Sequence, residues 1–196
     1  MKLPFTLVQN FLTLLIIPVL AGIVGIAAVP AVALFGELRG ALSNGEYWVD
    51  TTATAISLGM SVMLWGVTLV VMCGILGGLL RPRLAPGRYP LESFLTIQWA
   101  WSMVFHKIAL FFLPHLVPSF IGNLYYRLSG AKIGKGAQIN SPNVNDAGSV
   151  TIGDRVVIGG HATINAHLTE KGELVMAPVV IGDGALIGTG SIVQPG

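Results

Sequence analysis

Charge is scarce in this chain. Only 10% of its 196 residues are Asp, Glu, Lys or Arg, against about a quarter in soluble globular domains. Hydrophobic residues make up 53% and the mean hydropathy is +0.75, so part of the chain is expected to sit in a membrane. The net charge is only +2. With no Lys/Arg cluster among aromatics, nucleic acid is excluded as a partner. Cysteine is nearly missing, Cys73 being the only one. That excludes a disulfide framework, a CxxC motif and a Cys/His zinc pattern.

Two uncharged runs stand out instead, Leu3 to Gly36 and Thr51 to Leu80. Each exceeds the roughly 20 residues that a helix needs to cross hydrocarbon. Pro18, Pro30 and the glycines are tolerable in such helices. A cleaved signal, with "AVA" at 31–33 as its site, would have an apolar core of only about 7–15 residues. The longer run points to an uncleaved anchor. Between the runs, "ELRGALSNGEYWVD" carries one Arg against three acids, and after them "RPRLAPGR" carries Arg81, Arg83 and Arg88 with no acid. The positive-inside rule puts the N-terminus and everything after Arg88 on the cytoplasmic side of the cell (inner) membrane.

Residues 91–130 are apolar but interrupted by His106, Lys107, Pro114 and Pro118, and are rich in Trp and Tyr. This is expected to be an interfacial amphipathic helical segment. Its aromatic neighbours place His106 and His115 wet, at headgroup level.

From Ala131 a different rhythm begins. Ile133 and Ile139, then Ile152, Ile158 and Ile164, then Ile181, Ile187 and Val193 are six residues apart within each group. Gly follows at 134, 153, 159, 182 and 188, and a small residue tends to stand four after the aliphatic one. Neither a helical nor a strand period gives this pattern. A six-residue period is that of a β-helix with aliphatic side chains stacked inside. The rhythm slips by one residue around "SPNVNDAGS" and stops between Ile164 and Ile181, where His167 stands.

Residues 131–196 resemble the hexapeptide-repeat acyltransferases, whose repeat is [LIV]-G-x-x-[small]-x. The resemblance implies a left-handed parallel β-helix, a homotrimer, and transfer of an acetyl or other acyl group from acyl-CoA to a hydroxyl or amine. Pro178 to Gly182 and Leu186 to Gly190 match the motif that follows the family's histidine-bearing excursion. By that match His167 is the general base, and Gly188 and Thr189 offer backbone contacts to the cofactor's pantetheine arm. An imidazole can take a proton from an attacking hydroxyl or amine near neutral pH. Glu170 is a possible orienting acid for it, as is Glu173.

More of the chain resembles the C-terminal membrane modules of poly-lysine-synthetase-type peptide synthetases and the stand-alone membrane hexapeptide transferases. The features are the paired spans, the segment ending "NLYYRLSGAKIG" and the coil with "INAHLTEKGELVMAPVVIGDGALIG". That likeness implies aminoacyl transfer from a carrier-protein thioester as an alternative. A non-catalytic membrane scaffold is another. His161 and His167, six apart, are also similar to the gamma-class carbonic anhydrases, but a zinc there needs a third histidine. The others, His106 and His115, lie in the interfacial segment, so no metal is expected.

The expected organisation is a membrane α-helical anchor at 1–90, the interfacial segment at 91–130, and a left-handed β-helix acyltransferase domain at 131–196. The last is expected to be truncated, since "SIVQPG" stops short of the family's further turn. The anchor points to a lipid-like or polymeric acceptor at the bilayer.

Overall fold

The computed structural model describes residues 5–196. Leu3 and Pro4, which open the first apolar run, therefore lie outside the described residues. The chain divides into two compact units, Met1–Leu69 and Val70–Gly196. The end of the second long helix, residues 91–130 and the repeats form one unit.

Helix α1 (Phe5–Leu42) and helix α2 (Tyr47–Leu80) follow each other closely. Pro18 and Pro30 lie inside α1 without ending it. Within the first unit the two run antiparallel. Trp65 Nε1 donates to the Val24 carbonyl at 3.2 Å, and Arg39 Nε to Thr54 Oγ1 at 3.1 Å. Ile23, Ala27 and Ala31 are buried at four-residue spacing, and so are Ala53, Ser57 and Ser61. Small side chains at that spacing let helix backbones approach closely. Leu14, Ile26, Val32 and Leu58 point outward and are exposed. Large apolar side chains outside and small ones inside suit a hydrocarbon surround. Thr13–Leu42 and Tyr47–Leu80 are long and apolar enough to cross a membrane.

The second unit begins with the end of α2. Strand β1 (Gly87–Pro90) leads to three helices, α3 (Phe94–Ala109), α4 (Leu113–Leu116) and α5 (Phe120–Leu128). Ser93 caps α3, its hydroxyl accepting from the Thr96 amide at 3.2 Å. Ser119 caps α5 in the same way. Such caps satisfy amides that the first helical turn leaves free. Gly78 faces the Leu128 carbonyl with no room for a Cβ, and Gly74 touches Tyr125 and Leu128. The glycines of α2 therefore seat α5 directly against it.

The repeats form β2 (Lys132–Ile133), β3 (Gln138–Ile139), β4 (Val150–Ile152), β5 (Val157–Ile158), β6 (Thr163–Ile164), β7 (His167–Glu170), β8 (Glu173–Met176), β9 (Val179–Ile181), β10 (Leu186–Ile187) and β11 (Ile192–Val193). Three small parallel sheets result: β2-β4-β9, β3-β5-β10, and β6-β11 with Val144 bridged to Ile164. The chain passes through the sheets in the same order on each circuit. Register sets the aliphatic positions over one another: Ile133, Ile152 and Ile181; Ile139, Ile158 and Ile187; Ile164 and Val193. Ile139, Ile152, Ile158 and Ile164 are essentially inaccessible. Each such side chain contributes about 1.5–3 kcal/mol of burial. At one corner the carboxylates of Asp154 and Asp183 accept backbone amides of Lys135 and Asp154, at 2.7 and 2.8 Å. Gly153, lacking a Cβ, leaves room for Asp183.

The coil departs from its rhythm at two places, and these two places meet. Residues 167–176 fold out as the β7-β8 hairpin, turning at Lys171 and Gly172, both at positive φ. A pair of positive φ values gives the tight turn whose twist suits a two-residue hairpin. Strand β1 adds to the hairpin's other edge, antiparallel to β8. The interruption is thus a three-stranded sheet rather than an irregular loop.

Candidate functional site

The slip at "SPNVNDAGS" brings an acid to the histidine. Ser141 is buried; its hydroxyl donates to the Ala162 carbonyl at 2.6 Å and accepts from the Asn143 amide. Tyr126 Oη, from α5, donates to the Ser141 carbonyl at 2.7 Å. Asn145 places its amide on the Ile164 carbonyl and its side chain on Asn165 Oδ1, at 2.8 and 2.7 Å. Held on both sides, the chain turns sharply at Asp146, which has φ 54°, and enters a 3-10 turn at Ala147–Ser149. Asp, like Asn, tolerates that left-handed conformation better than most residues.

The Asp146 side chain is only 4% exposed. Its two oxygens have different partners. Oδ2 pairs with His167 Nδ1, and Oδ1 accepts from Trp99 Nε1 at 2.7 Å. The Trp99 indole also packs edge-on against the imidazole, with ring centroids 4.7 Å apart. His167 opens β7, and its side chain is 23% exposed. Nε2 has no partner among the described residues. A carboxylate, an imidazole oriented by it and a free Nε2 are together a combination that can accept a proton.

Behind Asp146 lies a cavity of about 60 Å³. Arg81, Trp99, His106, Tyr125, Asp146 and Met176 are among its lining residues. Met176 faces His167 across the hairpin. His106 is 7% exposed. Its Nδ1 hydrogen-bonds the Tyr125 hydroxyl at 2.8 Å, and its Nε2 is buried without a partner. Burial, with Lys107 beside it and Asp146 acting weakly the other way, lowers the imidazole to about 4. Burial also raises the Tyr125 phenol, so both side chains are neutral at physiological pH.

The expected site residues are not all together. Glu170 and Glu173 both pair with Arg88 of β1, at 2.5 and 3.3 Å. Opposite each other at the hairpin tip, they hold β1 to it. The acid on His167 is Asp146, not Glu170 or Glu173. Gly188 and Thr189 are exposed at the corner after β10, stacked under Gly159, and do not line the cavity. His161 is exposed at a corner with φ 58°. Among the described residues no three His, Cys, Asp or Glu side chains converge. His106 is buried rather than wet, because α5 covers it with Tyr125. His115 is exposed, edge-on to Phe112.

Asp146 is the residue that sequence reasoning passed over. The one-residue slip in the repeat was its signal, since a bulge in a stacked coil re-aims a side chain. Trp99, read as a headgroup residue, is the other. No family model matches the chain, and no curated protein matches it.

Proposed function

We propose that this chain is a membrane-anchored acyltransferase in which His167 is the general base. The repeats are read as a left-handed β-helix in the cytoplasm, and the working form as a homotrimer. The observation that carries the reading is the His167–Asp146–Trp99 arrangement where the coil opens. Asp146 accepts the Nδ1 proton and so leaves the Nε2 lone pair outward. In that tautomer Nε2 takes the proton of an acceptor hydroxyl or amine as it attacks the carbonyl of a thioester donor such as acyl-CoA. The carbon–oxygen or carbon–nitrogen bond forms, the carbon–sulfur bond breaks, and the imidazolium returns its proton to the leaving thiolate. Asp146 then faces a cation and is stabilising in the state that matters most. The two apolar helices favour an acceptor that reaches the bilayer.

The test is transfer from radiolabelled acetyl-CoA to membrane lipid or glycan extract, using the full chain in nanodiscs. His167→Ala should lower kcat by about 10²–10⁴-fold. His161→Ala, at an exposed corner, should leave it unchanged. Near-normal turnover in His167→Ala would reject the proposal. Mass measurement in detergent should give a trimer; a fully active monomer would remove that part of it.

A further inference from the structure

Arg81 stands immediately after Leu80, the last residue of α2. Its side chain is half-buried in the wall of the cavity behind Asp146. The guanidinium lies against Gly148 and Gly130, at each of which a Cβ would fall on it. It is therefore held by the fold rather than free in solvent. Yet no carboxylate among the described residues pairs with it, and none of its donors has a partner there. Asp146, in the same wall, has both oxygens occupied by His167 and Trp99. A partly desolvated guanidinium without a counter-ion is unfavourable.

A second polar group faces the same problem. His106 Nε2 is buried and has no partner. A phenol is a much stronger hydrogen-bond donor than a neutral imidazole N–H. The contact between Tyr125 Oη and His106 Nδ1 therefore runs from phenol to imidazole. That fixes the tautomer with the proton on Nε2. Arg81 and His106 thus both line the cavity, and neither the guanidinium nor the buried Nε2–H has an acceptor among the described residues. Asp146 across the same space disfavours a second negative charge.

We infer that this cavity binds a singly charged oxyanion of the substrate, a carboxylate or a phosphodiester, with Arg81 and His106 Nε2 as its donors. This rests on the acyltransferase reading only for the word substrate. Binding itself does not require it. Arg presents paired donors that match either group. Two sources have this chemistry. A small carboxylate could arrive from water, and a phosphodiester could belong to a lipid headgroup, since Arg81 closes a helix long enough to span the bilayer.

The test uses the full chain in neutral detergent, labelled with 5-fluorotryptophan. The ¹⁹F resonance of Trp99, which lines the cavity, is assigned by its loss in Trp99→Phe. Acetate, dimethyl phosphate and neutral acetamide are titrated separately. Saturable shifts with acetate alone assign a carboxylate, with dimethyl phosphate alone a phosphodiester of the kind a lipid headgroup carries. Shifts with both support the shared oxyanion chemistry. Arg81→Gln should weaken the response about 10–100-fold, as expected for losing hydrogen bonds to a charged group. Arg81→Lys, which keeps the charge but not the fork, should be intermediate and covers the case in which Arg81→Gln does not fold. No saturable shift with either anion, an equal shift with acetamide, or unchanged affinity in a folded Arg81→Gln would overturn the inference. His167→Asn, whose amide can still donate to Asp146 Oδ2, separates the two ideas: it should lower kcat about 10²–10⁴-fold and keep the anion affinity. Normal turnover in that variant with Arg81-dependent binding intact would reject the base and keep the anion site.

Discussion

Replacing Asp146 by Asn changes one atom and should reverse the imidazole. The side chain is almost fully buried, so the replacement keeps its shape and position. Trp99 Nε1 donates to Oδ1, and an amide oxygen still accepts that bond. The amide nitrogen must then occupy the place of Oδ2 and point its protons at His167 Nδ1. Two donors cannot face each other. The imidazole relieves the clash by moving its proton to Nε2, which leaves Nδ1 as the acceptor. A protonated Nε2 cannot take a proton from an acceptor. Loss of a general base is worth about 10²–10⁴-fold, and the same Asp-to-Asn change in a serine-protease triad costs about 10⁴-fold. At 1.36 kcal/mol per decade this is about 3–5 kcal/mol of barrier. The loss should fall on kcat, because the carboxylate sets the imidazole that takes the proton. The assay pairs kcat for acyl transfer with ¹⁵N NMR of the His167 ring. Asp146→Asn should show the Nε2–H tautomer and the full loss of kcat. A kcat within about threefold of the parent, or an unchanged Nδ1–H tautomer, would refute the reasoning. Glu170→Gln is the contrasting variant. Its partner Arg88 is half exposed, and such surface changes are usually worth under about 0.5 kcal/mol, so turnover should stay within about twofold.

Two further outcomes concern stability. The His106 imidazole titrates near 4 in the folded chain and near 6.5 when unfolded. Between those values the unfolded chain binds a proton that the folded chain does not, so stability falls as pH drops from about 6.5 to 4. The total is on the order of 3 kcal/mol, and His106→Gln should flatten that stretch of the thermal-midpoint profile in detergent; an unchanged acid slope would count against it. Gly78→Ala places a methyl group on the Leu128 carbonyl. Prying α5 from the end of α2 should destabilise the second unit by about 1–3 kcal/mol, read as a lower unfolding temperature, whereas Gly22→Ala, with open space around it, should not.

The parts of the fold that were legible are those written in local periodicity. Aliphatic residues every six positions predict the in-register columns because each repeat supplies one side and the next circuit covers it. The two long apolar helices follow from composition alone. The site was legible only on one side. His167 could be singled out because it stands where the rhythm stops. Its acid could not, for a physical reason. In "SPNVNDAGS" an Asp among Asn, Ser, Pro and Gly looks like ordinary turn chemistry. What makes Asp146 different is its neighbour from the next circuit, a contact that local pattern does not encode.

The same reasoning explains why His106 was misjudged. A histidine in an aromatic segment reads as a headgroup residue when the segment is taken alone. Its surroundings change once Tyr125, from a different helix, covers it and takes Nδ1. Trp99 shows both errors at once. From sequence it is one aromatic of an interfacial belt. In the fold its N–H holds one oxygen of Asp146, its ring edge packs on His167, and its side chain lines the cavity that contains Arg81. Helix α3 therefore couples the anion cavity to the imidazole through one side chain. Trp99→Phe keeps an aromatic ring beside His167 and removes the N–H together with part of the indole. It should leave His167 in place but free one lone pair of a buried carboxylate, which a substrate proton donor or Arg81 could then claim. A fall in kcat smaller than that of Asp146→Asn is the expected result. A loss as large as removing the carboxylate itself would mean that the indole, rather than the acid, sets the position of the imidazole.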